Sequence, residues 1–106
     1  MKTLVSIPHH EYPANVRTSV EDKVQSLGKY YDRIVSLRAK LERETEVHKV
    51  ELVANIGHGV TLVVDGRGAL LDSALEEAVH RMGTVLSRHK EKLADRHRRA
   101  KGIGRG

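Results

Sequence analysis

The chain has 106 residues, of which 19 are Lys or Arg and 14 are Asp or Glu, and its formal net charge at pH 7 is +5. This length predicts one domain that folds without covalent cross-links, and the lack of cysteine excludes disulfides, thiolate zinc sites and a cysteine nucleophile. Three tyrosines are the only aromatic residues, too few for a sheet that stacks bases along a single strand. Any nucleic-acid binding is therefore predicted to use backbone phosphates and shape.

The positive charge is concentrated towards the C-terminal end. Residues 81–106 contain nine basic and two acidic side chains, a net charge of +7, whereas residues 1–80 contain ten basic and twelve acidic side chains, a net charge of −2. A cationic helix and tail offer a counter-surface for a polyanion. The alternative is a solvated helix end whose cations complement the helix dipole. Nine cations exceed what a helix end requires, so we favour polyanion binding.

A strand and a helix are predicted first. Lys2–Ile7 alternates weakly in polarity and stops before Pro8, which is typical of a short strand. Pro13 suits the first turn of a helix. After it, apolar residues recur with helical spacing at Val16, Val20, Val24, Leu27 and Tyr31.

Three strands follow, because polarity then alternates with a period of two. The first of these runs has Val35, Leu37, Ala39 and Leu41 on one face. The runs are Ile34–Glu42, His48–Ile56 and Val60–Asp65, and the turns predicted after them are Glu44-Thr45-Glu46, Gly57-His58-Gly59 and Gly66-Arg67-Gly68. Consecutive strands joined by turns this short are antiparallel neighbours.

A long amphipathic helix is predicted from Ala69, with Gly83 on its outer side, and the Gly-rich segment from Lys101 is expected to fray. The order β-α-β-β-β-α predicts an α/β sandwich of two layers, in which two helices pack on one face of the sheet. We divide the chain into a binding domain, residues 1–95, and a basic, Gly-rich flexible tail, residues 96–106.

The candidate binding residues are cations beside the apolar stripes of the two helices. On a helical wheel Arg81, Arg88 and Lys92 share one flank of the last helix, and Lys90 lies on the opposite flank. The candidates on the first helix are Arg17, Lys23, Lys29 and Arg33, and Arg96 is added from the tail. The alternative is that these side chains merely cover apolar flanks, which for Lys29, Arg38 and Lys40 is as plausible as binding.

The sequence contains no motif that indicates catalysis, a cofactor or a metal site. The seven histidines include no HExxH motif, and His89 lies on the apolar face, as expected for a packed residue. No phosphate loop or catalytic triad is indicated, so we predict no enzyme, no cofactor and no metal site. The N-terminal apolar stretch is too short for a signal peptide, and no segment is long enough to span a bilayer. A cytoplasmic location follows as an expectation.

Two motifs resemble one protein family. Leu27-Gly28-Lys29-Tyr30-Tyr31-Asp32-Arg33-Ile34 is similar to the end of the first helix in ribosome hibernation-promoting factors, also called ribosome-associated inhibitor proteins. Ser87-Arg88-His89-Lys90-Glu91-Lys92-Leu93 resembles the basic ending of their second helix. The predicted element order and the length match the short form of the family over about residues 1–95.

The resemblance implies a factor that docks in the small ribosomal subunit where mRNA and tRNA bind, and that inhibits translation during stress or stationary phase. It implies contacts between 16S-type rRNA and basic residues of both helices, no membrane partner, and a monomer off the ribosome. The positions that match are Arg17, Lys23, Arg33, Arg81, Arg88, Lys90 and Lys92. The second helix lacks the family's usual Asp-x-Tyr-Ala-like start, since Leu70-Leu71-Asp72-Ser73 stands there.

Two other functions remain open from the residues alone. One is a general module for double-stranded or structured RNA, which would bind isolated duplex RNA as well as it binds the small subunit. The other is an enzyme or metal protein that uses the histidines, which a metal analysis of the purified protein tests.

Overall fold

The structure is a computed structural model that describes residues 2–7 and 12–103, with side chains described as far as residue 95. A four-stranded sheet forms one layer, and two helices cover one of its faces, which confirms the predicted β-α-β-β-β-α sandwich. The elements are β1 (Lys2–Ser6), α1 (Ala14–Gln25), a 3-10 helix (Ser26–Lys29), β2 (Ser36–Arg43), β3 (His48–Asn55), β4 (Thr61–Gly68) and α2 (Leu71–Ile103).

The strands lie in chain order across the sheet, so β1 and β4 are its edges. The β2–β3 and β3–β4 pairs are antiparallel, as their short turns predicted, and β1 is parallel to β2. The register places Leu37 opposite Ala54 and Ala39 opposite Leu52. Period-two alternation therefore delivers one apolar face to the helices.

The core lies between this face and the helices. α2 packs mainly on β4 and β3, and α1 packs on β1 and β2. Val20 and Val24 of α1, and Met82 and Leu86 of α2, are almost wholly inaccessible to solvent. The helical spacing of Val20 and Val24 thus predicted the buried stripe of α1 correctly, whereas Leu93, predicted on the apolar face of the last helix, is 38% exposed.

Val35 departs from the sequence prediction. It was placed on the buried face of the second strand, but it precedes that strand and is 53% exposed. Its backbone N–H donates to the carbonyl oxygen of Asn55, so the chain here is already joined to β3. Alternation is a reliable guide only inside the paired strand.

Gly66, Arg67 and Gly68 also depart from prediction, because they end β4 and do not form a turn. A Cβ added to Gly66 would lie 2.3 Å from the backbone oxygen of Ala74 and 2.5 Å from the backbone nitrogen of Ala78. Glycine therefore lets α2 lie directly on the strand. The true turn here is residues 69–70, after which α2 begins at Leu71.

The Gly57-His58-Gly59 turn is confirmed between β3 and β4. All three residues have positive φ, including His58 at 54°. Positive φ is costly for residues other than glycine. Gly57 and Gly59 adopt it without strain, so His58 is the one residue of the turn that bears this cost.

α2 continues through the boundary predicted between residues 95 and 96. The backbone of Lys101–Ile103, which we assigned to the frayed segment, is helical. The side chains of residues 96–103 and all of residues 104–106 lie outside the described part of the chain. The division into a domain and a flexible tail stays a prediction.

Candidate nucleic-acid interface

The 3-10 helix at the end of α1 brings an aromatic ring onto α2. Tyr30 follows this helix, and a Cβ added to Gly83 would lie 3.0 Å from Cε2 of its ring. Gly83 was predicted on the outer side of the helix, but it is buried beneath Tyr30. The missing side chain at Gly83 creates the space in which the ring packs.

A groove of about 400 Å³ opens beside Tyr30 on α2. It contains one of the predicted cations, Arg88, together with several uncharged polar groups. Its other lining residues are His80, Gly83, Thr84, Ser87 and Glu91. We call this the Tyr30 groove.

A second groove, of about 220 Å³, is lined by residues of α1, the 3-10 helix and the first turns of α2. It brings together Lys23 and Lys29, which were predicted from the sequence, and it shares Tyr30 and His80 with the Tyr30 groove. The ammonium of Lys29 lies 5.1 Å from the centroid of the Tyr30 ring, within cation–π distance.

A third groove, of about 540 Å³, brings Arg33 from the loop before β2 together with Lys90 of α2. Tyr31, Asp32, Leu93 and Ala94 complete its lining. The first two grooves share Tyr30 and His80, and the third is lined by the adjacent Tyr31 and by a later turn of α2. We refer to the three grooves together as the inter-helix surface.

The cations of the inter-helix surface are available to a ligand. Lys23, Lys29, Arg33, Arg88 and Lys90 are exposed, and none of them forms an ion pair with another described side chain. Asp32, Glu76 and Glu91 also line the grooves, so the surface is mixed in charge, with an excess of cations.

Arg81 is placed differently from Arg88, although the wheel put them on one flank. Its guanidinium donates to the backbone oxygen of Asp65 at 2.9 Å, and it lies 3.0 Å from Oε1 of Glu77 and 3.5 Å from Oδ1 of Asp65. It therefore holds α2 against the edge strand β4. Arg17 behaves similarly at the other edge, where its guanidinium donates to the backbone oxygen of Val5 in β1.

The remaining candidates lie beyond the grooves. Lys92 is exposed on α2 and has no ion pair among the described side chains. Arg96 belongs to α2, but its side chain lies outside the described residues. The structure thus gathers five of the nine predicted residues on one surface and assigns Arg17 and Arg81 to the sheet edges.

On the uncovered face of the sheet, a basic and an acidic side chain form an ion pair. The Nζ of Lys40 lies 2.9 Å from Oε1 of Glu42, and this contact raises the pKa of Lys40 and lowers the pKa of Glu42 through a side-chain hydrogen bond. For Lys40 the structural interpretation is therefore the better one.

The histidines serve packing where the structure describes their contacts. His89 meets the Tyr31 ring edge-on, with centroids 5.7 Å apart, and Nδ1 of His48 lies 2.6 Å from the hydroxyl of Tyr12. Within residues 2–7 and 12–95, no three His, Asp or Glu side chains are grouped as metal ligands would be. No helix in the described part of the chain is long and apolar enough to cross a membrane.

Sequence reasoning missed Tyr30 and His80, the residues shared by two grooves. Tyr30 stood in the quoted helix-end motif next to Lys29, and it was not among the residues of the apolar stripe, whose last members are Leu27 and Tyr31. The sequence therefore contained a signal that Tyr30 is a surface residue. It contained no signal for Gly83, because the role of Gly83 depends on a contact between two separate elements.

An open sheet with helices on one face and exposed cations in the grooves beside the helices defines a protein suited to binding a polyanion. A family model described as Sigma 54 modulation protein / S30EA ribosomal protein matches residues 4–94. The chain therefore belongs to this family of ribosome-associated proteins, which confirms the resemblance read from its two helix-end motifs.

Solved structures share the fold. The chain is similar to the Protein Y N-terminal domain of Thermus thermophilus, with a TM-score of 0.71 and 24% identity, over 84% of this chain and 99% of that one. It is also similar to a ribosomal subunit interface protein from Coxiella burnetii, with a TM-score of 0.76 and 15% identity, over 86% and 99% of the two chains. No curated protein sequence matches this chain.

Proposed function

We propose that this protein binds the small ribosomal subunit at the channel for mRNA and tRNA and inhibits translation in stress or stationary phase. The observation that carries the proposal is the inter-helix surface, whose three grooves hold Lys23, Lys29, Arg33, Arg88 and Lys90, all exposed and without ion-pair partners among the described side chains. Membership of a ribosomal family and a neighbour named as a ribosomal subunit interface protein support this choice of polyanion.

The surface suits folded rRNA because four of its five cations, Lys23, Lys29, Arg88 and Lys90, stand on helices. A helix fixes the backbone positions of its residues, so the points from which these four side chains extend are set before binding. Contacts to phosphates set position and orientation without reading sequence. We include Lys92 and Arg96 as further rRNA contacts along the same helix.

The proposed mechanism is exclusion. The protein occupies the space of mRNA and tRNA, acts without chemistry or cofactor, works in the cytoplasm and is monomeric off the ribosome. Ligands that compete for one site obey mass action. Raising mRNA or initiator tRNA in a cell-free system should therefore restore translation, and ribosomes washed free of the protein with high salt should be active.

The test is sedimentation with ribosomal subunits through a sucrose gradient. We expect the double variant Arg88→Glu with Lys92→Glu to lose binding to the small subunit, because reversed charges on α2 repel phosphate. The matched control is Arg38→Glu with Arg43→Glu, which changes the net charge equally at two exposed positions of β2. The control should sediment with the subunit as the parent does.

Three results would contradict the proposal: cosedimentation of the α2 variant at parent levels, equal affinity of the parent for isolated duplex RNA, or ribosomes that stay inactive after the protein is removed. Circular dichroism of each variant verifies that the fold is intact.

A further inference from the structure

Tyr30 is the exposed aromatic side chain of this protein. Tyr31 is buried at 5% exposure, Tyr12 is half-buried beside His48, and the sequence contains no Phe or Trp. Tyr30 is 36% exposed. An exposed aromatic ring beside cations is the combination that stacking of a nucleotide base requires.

The ring is held in place and is not a loose surface side chain. It packs on Gly83, where even a methyl group would approach Cε2 to 3.0 Å. The ammonium of Lys29 stands 5.1 Å from its centroid. Because this ammonium is on an exposed side chain, a flat ligand can displace it from the ring and leave it free to pair with an anion.

The groove beside the ring offers partners for a nucleotide. Arg88 supplies donors for a phosphate, and Ser87, His80 and Glu91 supply donors and acceptors for the edge of a base. A volume of about 400 Å³ lies at the small end of the range for ligand pockets. A single nucleotide is a ligand of this size with a flat aromatic part and an anionic part.

We propose that the Tyr30 groove binds one unpaired nucleotide of the RNA, with its base stacked on the Tyr30 ring and its phosphate between Lys29 and Arg88. The proposal rests on the proposed function, in that the RNA is taken to be rRNA, but it adds a contact to a base. It also modifies the sequence prediction that binding uses phosphates and shape alone.

The first test uses Tyr30→Trp, which introduces the chain's only tryptophan. Its fluorescence is followed during titration with a short unstructured RNA oligonucleotide and with an abasic oligonucleotide of equal length. Both carry the same phosphates, so only the base differs. We expect saturable quenching by the first and little change with the second. Equal responses to both would overturn the stacking contact.

The second test needs no fluorescent variant. Stacking of a base on an aromatic ring contributes about 1–3 kcal/mol by substitution, so Tyr30→Leu should weaken oligonucleotide and small-subunit binding about 5- to 150-fold. Tyr30→Phe keeps the ring and should restore affinity to within about threefold of the parent. Equal affinities for the Leu and Phe variants would refute the proposal, and thermal unfolding verifies that both are folded.

The two proposals fail in different ways. If the parent binds the small subunit and Tyr30→Leu binds it equally well, the stacking site is wrong and the proposed function stands. If the oligonucleotide quenches Tyr30→Trp while the parent fails to bind ribosomes, the nucleotide site stands and the proposed function is wrong.

Discussion

Replacing Gly66 by alanine is expected to destabilise the protein strongly. Gly66 is buried in β4, opposite Val50 of β3, and the backbone of α2 passes directly over it. The new Cβ would meet the oxygen of Ala74 at 2.3 Å and the nitrogen of Ala78 at 2.5 Å. Both contacts are to helix backbone, so no side-chain rotation relieves them, and α2 must move away by about 1 Å to restore ordinary van der Waals distances.

The expected cost is about 3 kcal/mol, the upper end of the range for overpacked cores, because a shift of α2 also loosens its contacts with β3. For a chain of this size, that corresponds to a decrease in Tm of roughly 15 °C. Urea unfolding followed by far-ultraviolet circular dichroism measures the free energy of unfolding and its denaturant slope.

Two variants calibrate this result. In Gly68→Ala the new Cβ would lie 2.9 Å from Cβ of Ser73 and 3.1 Å from the nitrogen of Ala74. These contacts are longer than those at Gly66, so we expect a smaller loss of about 1 kcal/mol. Val63→Thr lies on the uncovered face of the same strand, where Val63 is 60% exposed, and should change stability by less than about 0.5 kcal/mol. A Gly66→Ala protein as stable as Val63→Thr would refute the close approach of α2 to β4.

Two further predictions concern the cations. If about five phosphates are neutralised, the logarithm of the binding constant for the small subunit should fall with the logarithm of salt concentration with a slope of roughly −3.5 to −4.5; a slope near zero would contradict the electrostatic account. Arg81→Gln should lower stability by about 1 kcal/mol, through loss of its hydrogen bond to Asp65, and leave the salt slope unchanged. Arg88→Gln should instead reduce the steepness of the salt slope by about 0.7–0.9 and leave Tm unchanged. Identical effects of the two substitutions on stability and on the salt slope would contradict the different roles assigned to Arg81 and Arg88.

Most of the fold could be predicted because its elements are strongly periodic. Leu37, Ala39 and Leu41 alternate with charged residues, and Val20 and Val24 repeat at helical spacing, so the buried faces followed from geometry. Gly66 and Gly83 could not be placed in this way. Their role is to admit a partner from another element, and the partner is determined by packing that no local pattern encodes.

The candidate site was predictable to a lesser degree for a related reason. A helical wheel assigns a side chain to a flank, but it does not say what stands across that flank. Arg81 and Arg88 share a direction on the wheel, yet Arg81 lies opposite Asp65 of β4 while Arg88 lines the Tyr30 groove. The seven-residue separation, about 10 Å along the helix, carries the second arginine past the acidic partners of the first.

Arginine consequently has two separate uses in this chain, and both depend on its several N–H donors. An open sheet exposes unpaired backbone groups at its edges, which invites pairing with another chain. Arg17 donates a hydrogen bond to the carbonyl oxygen of Val5 at the β1 edge, and Arg81 donates one to the carbonyl oxygen of Asp65 at the β4 edge. Both arginines come from the helical layer, so each ties the layers together where the sheet ends. The cations that we propose to bind RNA are those of the inter-helix surface, with Lys92 and Arg96 of α2, and Arg17 and Arg81 are not among them. The number of phosphates contacted should therefore follow the inter-helix surface, and not the total count of basic residues on the two helices.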